Sequence, residues 1–407
     1  MKDDIVIVGG VRTPVGTHGG ALRRKNAVDL GVLALQATIE QTGVDPALFD
    51  DVFIGCAAQP SEAANIARVV ALMAGVPDHV PGCTVHRNCA SGLEAIVSAY
   101  RAIRADEGTL YLVGGTESLS SVPYAVKGAR WGLKLRHSEF TDMLWEGLTD
   151  PVSGLIMGQT AENLAERYEI SREEQDQYAV LSHKKAFRAQ RMEKFKDEIV
   201  PVEIVKKVAG QEVARELITQ DEGINPTLSV RKAALYPTVF KKDGTVTPAN
   251  ACPLNDGTAA MIVTTAGRAE ELGLTPRVRI VAYTFVGVDP AYMGIGPAVA
   301  VPKVLEKAGM TLDEMGVIEL NEAFAAQVLA CGEELERQGM PLEWEKVNPL
   351  GGAIALGHPI GATAAKLVVT IMGEMERENH RYGLVTMCVG GGQGGAMIVE
   401  NLSYNDE

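Results

Sequence analysis

The sequence predicts an α/β protein, and three observations lead there. Short β-rich runs alternate with helical patterns at both ends of the chain, the two ends repeat one another in layout, and a long segment of different texture separates them. With 407 residues and 46% hydrophobic content, the chain can build two or three domain-sized units with sizeable cores.

The first end supplies the strand-like runs DIVIVGG, DVFIGCA and TLYLVGG, and the last end RVRIVAY, VIEL, YGLVTMCV and AMIVE. Runs of this kind, alternating with helical patterns, predict parallel α/β layers. Ile5 corresponds to Ile280, Gly55 to Asn321, Cys89 to His358 and Gly114 to Gly390, at offsets of 275, 266, 269 and 276 residues. Each half thus reads strand, long gap, strand, reactive residue before a helix, then a strand ending in glycines. The pattern predicts a duplicated domain.

The intervening stretch holds a basic loop, a helical segment TAENLAERYEISREEQDQYAVLSHKKAFRAQ, and a charged, irregular portion running to Tyr236. Ser171 with Glu174 three residues on forms a capping box that starts a helix. An insertion this long should form a lobe, and lobes over a site commonly carry binding. The organisation is therefore read as residues 1–118 plus 251–273 for an N-terminal half, 119–250 for an inserted loop domain, and 274–407 for a C-terminal half.

Charge and composition narrow the function classes. A net charge of −14 argues against nucleic acid as a partner. No apolar run approaches the ~18 residues of a membrane span, and neither a signal peptide nor a lipid-anchor or peroxisomal signal is read at the ends, so the expected location is cytoplasmic. The six cysteines form no CxxC pairs, which predicts free thiols rather than a metal ribbon or disulfide framework. An anionic ligand would need a locally positive region, and Lys127, Arg130, Lys134, Arg136 and His137 supply one with no acid among them. A solvated loop would read the same.

Cys89 is placed more tellingly. Leu93, Ile96, Val97, Tyr100 and Ile103 recur at helical spacing after it, with Ser91 and Gly92 leading into the helix. A helix N-terminus stabilises a thiolate, so a lowered thiol pKa is expected there. A structural cysteine would also fit the place.

Four further stretches have the density of a site. NEAFAAQ (321–327) follows the strand VIEL, so Asn321 and Glu322 sit at a strand's C-terminal end, where α/β folds present ligands. GGAIALGHPIGATAAK (351–366) sets His358 among glycines and aliphatics just before a helix. CVGGGQGG (388–395) places Cys388 at a strand end, followed by glycines that free backbone N–H groups for an anion. GTVTPANACPLNDG (244–257) is a loop rich in turn residues.

These segments resemble the thiolase family, the acyl-CoA:acetyl-CoA C-acyltransferases. RTPVGTHGGAL, NCASGLEAI, GGTESLS, MGQTAENLAE, ISREEQD, NDGTAA, NEAFAAQ, GGAIALGHPIGAT and CVGGGQGGA all fall in the family's order and spacing, through nearly the whole chain. The resemblance implies a duplicated αβαβα layered fold with an inserted loop lobe. It implies thiolytic cleavage of 3-ketoacyl-CoA, or the reverse Claisen condensation, with CoA and acyl-CoA as substrates and neither a metal nor a tightly bound cofactor. Carried over residue by residue, Cys89 is the nucleophile, His358 accepts its proton, and Cys388 is the acid or base at the substrate α-carbon. One oxyanion pocket comes from His358 with a water held by Asn321, the other from the N–H groups of Cys89 and Gly390. The family's usual setting adds fatty acid metabolism, β-oxidation and a homo-oligomer, dimer or homotetramer.

The chemistry independently asks for these residue types. A thiol can attack a ketone and then leave to another thiol, a proton must return to an enolate, and donors must stand where charge develops on oxygen. The thioester already acidifies the α-carbon. A condensing ketosynthase-like enzyme would not be expected to carry the thiol at 388, and a non-catalytic acyl-CoA-binding homologue would be expected to lose Cys89, His358 or Cys388.

The chain also departs from the family pattern. Ile156 stands where members acting on acetoacetyl-CoA commonly have histidine, Cys252 replaces a serine resembling a pantetheine contact, and Gly223 to Pro226 lack an arginine that often lies along the CoA adenine. Leu148, Ile156, Met157, Met293 and Phe324 are expected around the acyl chain. Lys127, Arg130 and Lys134 are expected at CoA phosphates or a neighbouring subunit.

Overall fold

A computed structural model of the chain describes residues 4–135, 137–208 and 211–405. All seven expected strands form, as β1 (Ile5–Arg12), β2 (Asp51–Gly55), β4 (Leu110–Ser118), β6 (Pro276–Gly287), β7 (Val317–Leu320), β8 (Tyr382–Val389) and β9 (Gln393–Asn401). Two more complete the main path of the sheet, β3 (Cys83–Val85) and β5 (Asn255–Thr265), giving the order β7-β8-β9-β6-β1-β5-β4-β2-β3. The order is mirrored about the β6–β1 pair, so each half lays down equivalent strands in equivalent places.

Strand alternation creates the layers, because successive side chains point to opposite faces. In β1, Ile5 and Ile7 enter a middle core while Val6 and Val8 enter an outer one. The middle core is filled by two helices, α3 (Ser91–Arg104) and α8 (Thr363–Arg377). On one outer face lie α1 (Ala27–Thr42) and α2 (Ile66–Met73), and on the other α6 (Gly296–Ala308) and α7 (Ala325–Arg337). The result is five layers, helix, sheet, helix, sheet, helix.

Two expectations need correction. The sheet is mixed, not parallel: β2 runs parallel to β3 and β4, and β7 to β8, but β5 opposes β1 and β4, β9 opposes β6 and β8, and β1 opposes β6. The tight glycine turn between β8 and β9 can only reverse the chain, whereas parallel neighbours need a long crossover. Gly114 is also not the counterpart of Gly390, because β4 continues to Ser118 while Gly390 follows the end of β8. The glycine beside it, Gly115, serves packing: a Cβ there would sit 2.3 Å from the Gly361 carbonyl oxygen.

The inserted stretch carries α4 (Met157–Arg167) and α5 (Arg172–Arg191), the latter begun by the capping box of Ser171 and Glu174. Its charged portion is less irregular than expected, since Val202–Val208 pairs with Gln211–Ile218 as a β-hairpin. Arg12 ties the stretch down from β1. Its buried guanidinium donates to Glu198 at 2.7 Å and to both oxygens of Asp221 at 2.7 and 2.9 Å. A bidentate pair of this kind is among the stronger polar contacts available.

Candidate active site

Loops from both halves meet over the ends of α3 and α8. Cys89 lies two residues before α3, half-buried, and His358 lies five before α8, buried. Cys388 is the penultimate residue of β8 and fully buried. All three line one cavity of about 280 Å³, together with Leu148, Ile156, Met157, Met293, Phe324 and Cys252. The remaining wall is mostly aliphatic and aromatic, including Trp145 and Phe240 from the inserted stretch.

The histidine is held in one tautomer. Thr363 Oγ1 donates to the Pro359 carbonyl at 3.0 Å, and a hydroxyl has one proton, so its 2.6 Å contact with His358 Nδ1 is an accepted bond. Nδ1 therefore carries the hydrogen and Nε2 keeps its lone pair. The backbone of His358 is fixed from the other half, its N–H donating to Asn255 Oδ1 at 2.8 Å.

Burial governs the proton affinities. It pushes the Cys89 thiol up to about 11, against the lowering effect of the Gly390 and Cys89 N–H groups, while Glu117 adds a small push upward. The lowered thiol expected from the helix N-terminus is thus overturned, because desolvation outweighs it. Burial, with Lys366 nearby, holds His358 down at about 3. Burial also lifts Cys388 well above its ordinary range. A neutral thiol and a neutral imidazole share the cavity, an arrangement suited to moving a proton only as a bond forms.

Asn321 and Gly390 are not on the cavity wall but border its chemistry. Asn321 is buried one residue beyond β7, and neither its side-chain oxygen nor its nitrogen has a protein partner. Such a side chain is suited to hold a water. The Gly390 N–H lies near enough to the Cys89 sulfur to favour its thiolate. Lys127, Arg130 and Lys134 lie on the exposed loop that leads to Asp142, Leu144 and Trp145 at the cavity, with Lys127 paired to Glu146. Arg136 of the same basic stretch lies outside the described residues.

Several supporting residues lie inside sequence motifs but show their roles only through their partners in the fold. Glu117, fully buried at the end of β4, accepts N–H groups from Ala57 at 3.0 Å, Ala58 at 3.0 Å and Gly361 at 2.8 Å, joining loops of both halves. Glu322 takes Tyr178 (2.9 Å), Ser182 (2.7 Å), Asn348 (3.1 Å) and the Ile354 N–H (3.1 Å), locking α5 to the loops below it. Thr363 and Asn255 sit inside motifs but reveal their partners only in the fold. Among the described residues, no group of three or more His, Cys, Asp or Glu side chains could hold a metal ion, and no helix is long and apolar enough to cross a membrane.

Comparison with known proteins follows the same lines. The family model of the thiolase N-terminal domain matches residues 5–267, and that of the thiolase C-terminal domain residues 274–401. A probable acetyl-CoA acyltransferase of Staphylococcus aureus (strain COL) is 44% identical over 396 residues, 97% of this chain and 98% of that protein. The crystal structure of the Bacillus anthracis acetyl-CoA acetyltransferase superposes with a TM-score of 0.94 at 44% identity, covering 98% of this chain and 99% of the other. Human mitochondrial 3-ketoacyl-CoA thiolase in complex with CoA gives 0.92 at 38% identity, covering 98% of both chains.

Proposed function

The chain belongs to the thiolase family and is an acyltransferase, and from this premise we propose that it cleaves and forms 3-ketoacyl-CoA thioesters through an acyl-enzyme on Cys89. The observation that carries the reading is one apolar cavity lined by the Cys89 and Cys388 thiols, from opposite halves, beside an imidazole with a free Nε2. In thiolysis the Cys89 sulfur attacks the keto carbon of the substrate while His358 Nε2 takes the thiol proton. The carbon–carbon bond then breaks, Cys388 gives its proton to the departing enolate carbon, and acetyl-CoA leaves. The CoA thiol next attacks the Cys89 thioester, its proton passing to the Cys388 thiolate, and the Cys89 sulfur leaves with the proton held by His358 as the product acyl-CoA forms. The unpartnered Asn321 amide supports a water-completed oxyanion pocket with His358, and the Gly390 N–H supports the second pocket with the Cys89 N–H.

Intact mass after incubation with acetyl-CoA tests this. Wild-type protein should carry one acetyl group on Cys89, and Cys89→Ala none. Cys388→Ala should still acylate while losing carbon–carbon bond formation and α-proton exchange. Equal loss of both half-reactions in that variant would sink the division of roles.

The finer reading divides the chain as residues 1–118 plus 251–273, 119–250, and 274–407, and places the enzyme in cytoplasmic fatty acid degradation as a homo-oligomer. The open sheet edge at β3 and the exposed Trp131, Leu133, Leu135 and Phe140 support assembly into a dimer or tetramer. Sedimentation of the purified protein as a monomer at micromolar concentration would contradict that part.

A further inference from the structure

Asn88, which opens the NCASGLEAI motif, performs work that the cavity wall does not account for. Asn88 adopts φ 43°, the left-handed region that asparagine tolerates better than other side chains. From there its Nδ2 crosses to the other half and donates to the Gly390 carbonyl at 2.7 Å. The residue before it does the same: Arg87 Nη1 donates to Gln393 Oε1 at 3.0 Å, its guanidinium lying 4.2 Å from the Phe285 ring centroid and bonded to Glu94 at 2.6 Å.

The turn they reach needs such help. Gly391 and Gly392 are themselves left-handed, at φ 81° and 77°, and a glycine run has no side chains with which to anchor itself. The Val288 N–H holds the far side by donating to Gly392 O at 2.7 Å, with Arg87 on Gln393 just beyond, so the side nearest the sulfur, at Gly390, depends on Asn88. The asparagine's own carbonyl is fixed by Ser91, whose Oγ donates to it at 2.7 Å and whose N–H donates at 3.0 Å. The nucleophile and the clamp therefore move as one piece.

We propose that Asn88 is a positioning residue that, with Arg87, fixes the Gly390 N–H against the sulfur of Cys89 and so sets the geometry of an oxyanion donor. The proposal rests on the thiolase reading of that N–H. Among the described residues, the other titratable groups around Cys89 are Glu117 from β4, His358, Cys388, Cys252 and Asp142, none of them altered by substitution at 88.

The test uses full-length Asn88→Gly, which keeps the backbone conformation, and Asn88→Asp, which keeps the size but sets an acceptor against the Gly390 carbonyl. Both should lower kcat for thiolysis by roughly 10–100-fold with KM for CoA and substrate within about twofold, as expected when a transition-state donor is misplaced. The pH midpoint for iodoacetamide alkylation of Cys89, followed by peptide mapping, should rise because the sulfur loses a hydrogen-bond donor. Variants with unchanged kcat, or a kcat loss that follows Tm while the alkylation midpoint stays fixed, would overturn the proposal alone. Wild-type protein that never acylates at Cys89 would overturn the oxyanion reading and this proposal with it.

Discussion

Thr363 and His358 are joined by a 2.6 Å hydrogen bond whose direction is set by a third group, the Pro359 carbonyl. Because both residues belong to the lead-in and first turn of α8, the helix itself carries the device that keeps Nε2 unprotonated. Thr363→Val removes the acceptor at nearly constant volume and frees the ring to exchange tautomers. We expect kcat to fall at least roughly tenfold with little change in KM. Steady-state kinetics showing a full rate would mean that the tautomer is held elsewhere.

Acyl-chain preference should turn on Ile156. Its side chain is an aliphatic part of a cavity wall otherwise built from Leu148, Met157, Met293, Phe240 and Phe324. Buried methylenes are worth roughly 1–3 kcal/mol each in such a pocket, or about 10–200-fold in kcat/KM. Substrates longer than acetoacetyl-CoA should be accepted at least as well as it, and Ile156→His should shift the preference toward the shorter one. A chain-length series falling steeply beyond four carbons in the wild type would refute this.

The exposed Arg130 and Lys134 should matter at a distance. The protein as a whole is strongly acidic, with a net charge of −14, and CoA is a polyanion. Neutralising both should raise KM for CoA, more at low salt than at high, because exposed charges are screened. A salt-independent effect would point instead to assembly.

Acid should destabilise the fold through two buried histidines. Burial holds His358 at about 3 and His183 at about 4, and the latter must stay neutral because its Nδ1 accepts the Asn225 N–H at 3.1 Å. Both native values lie below the unfolded value of about 6.5, so the contribution is present in full above that pH and is lost as pH falls toward the native values. Between pH 6.5 and 5 each histidine should remove about 2 kcal/mol. Urea midpoints across that range should fall, and His183→Gln should flatten the slope; a flat wild-type profile would contradict the assignment.

The strands, the duplicated fold and the residues that meet at the cavity are legible in the sequence because each rests on a local pattern: branched runs, a capping box, a reactive residue among glycines. What could not be read depends on contacts across the chain. β5 was hidden because its residues begin as a turn-rich loop, and only its place between β1 and β4 shows that it is central. The thiol of Cys89 was misjudged because helix position is local whereas desolvation is a property of the assembled cavity. Asn88, Glu117 and Thr363 are ordinary residues until their partners, up to 302 positions away, are known.

The contact of Gly115 with the Gly361 carbonyl limits how closely β4 can approach the loop that carries His358. Two main chains rest on each other there, beside the Glu117 carboxylate that accepts the Gly361 N–H at 2.8 Å. A methyl group at 115, 2.3 Å from that oxygen, would have to move the His358 loop by about 1 Å, a displacement able to cost on the order of 100-fold in rate. Gly115→Ala should therefore be a rate variant more than a stability variant, with kcat collapsing while Tm falls modestly. If rate and Tm declined together, the spacing would belong to the fold at large and not to this one contact.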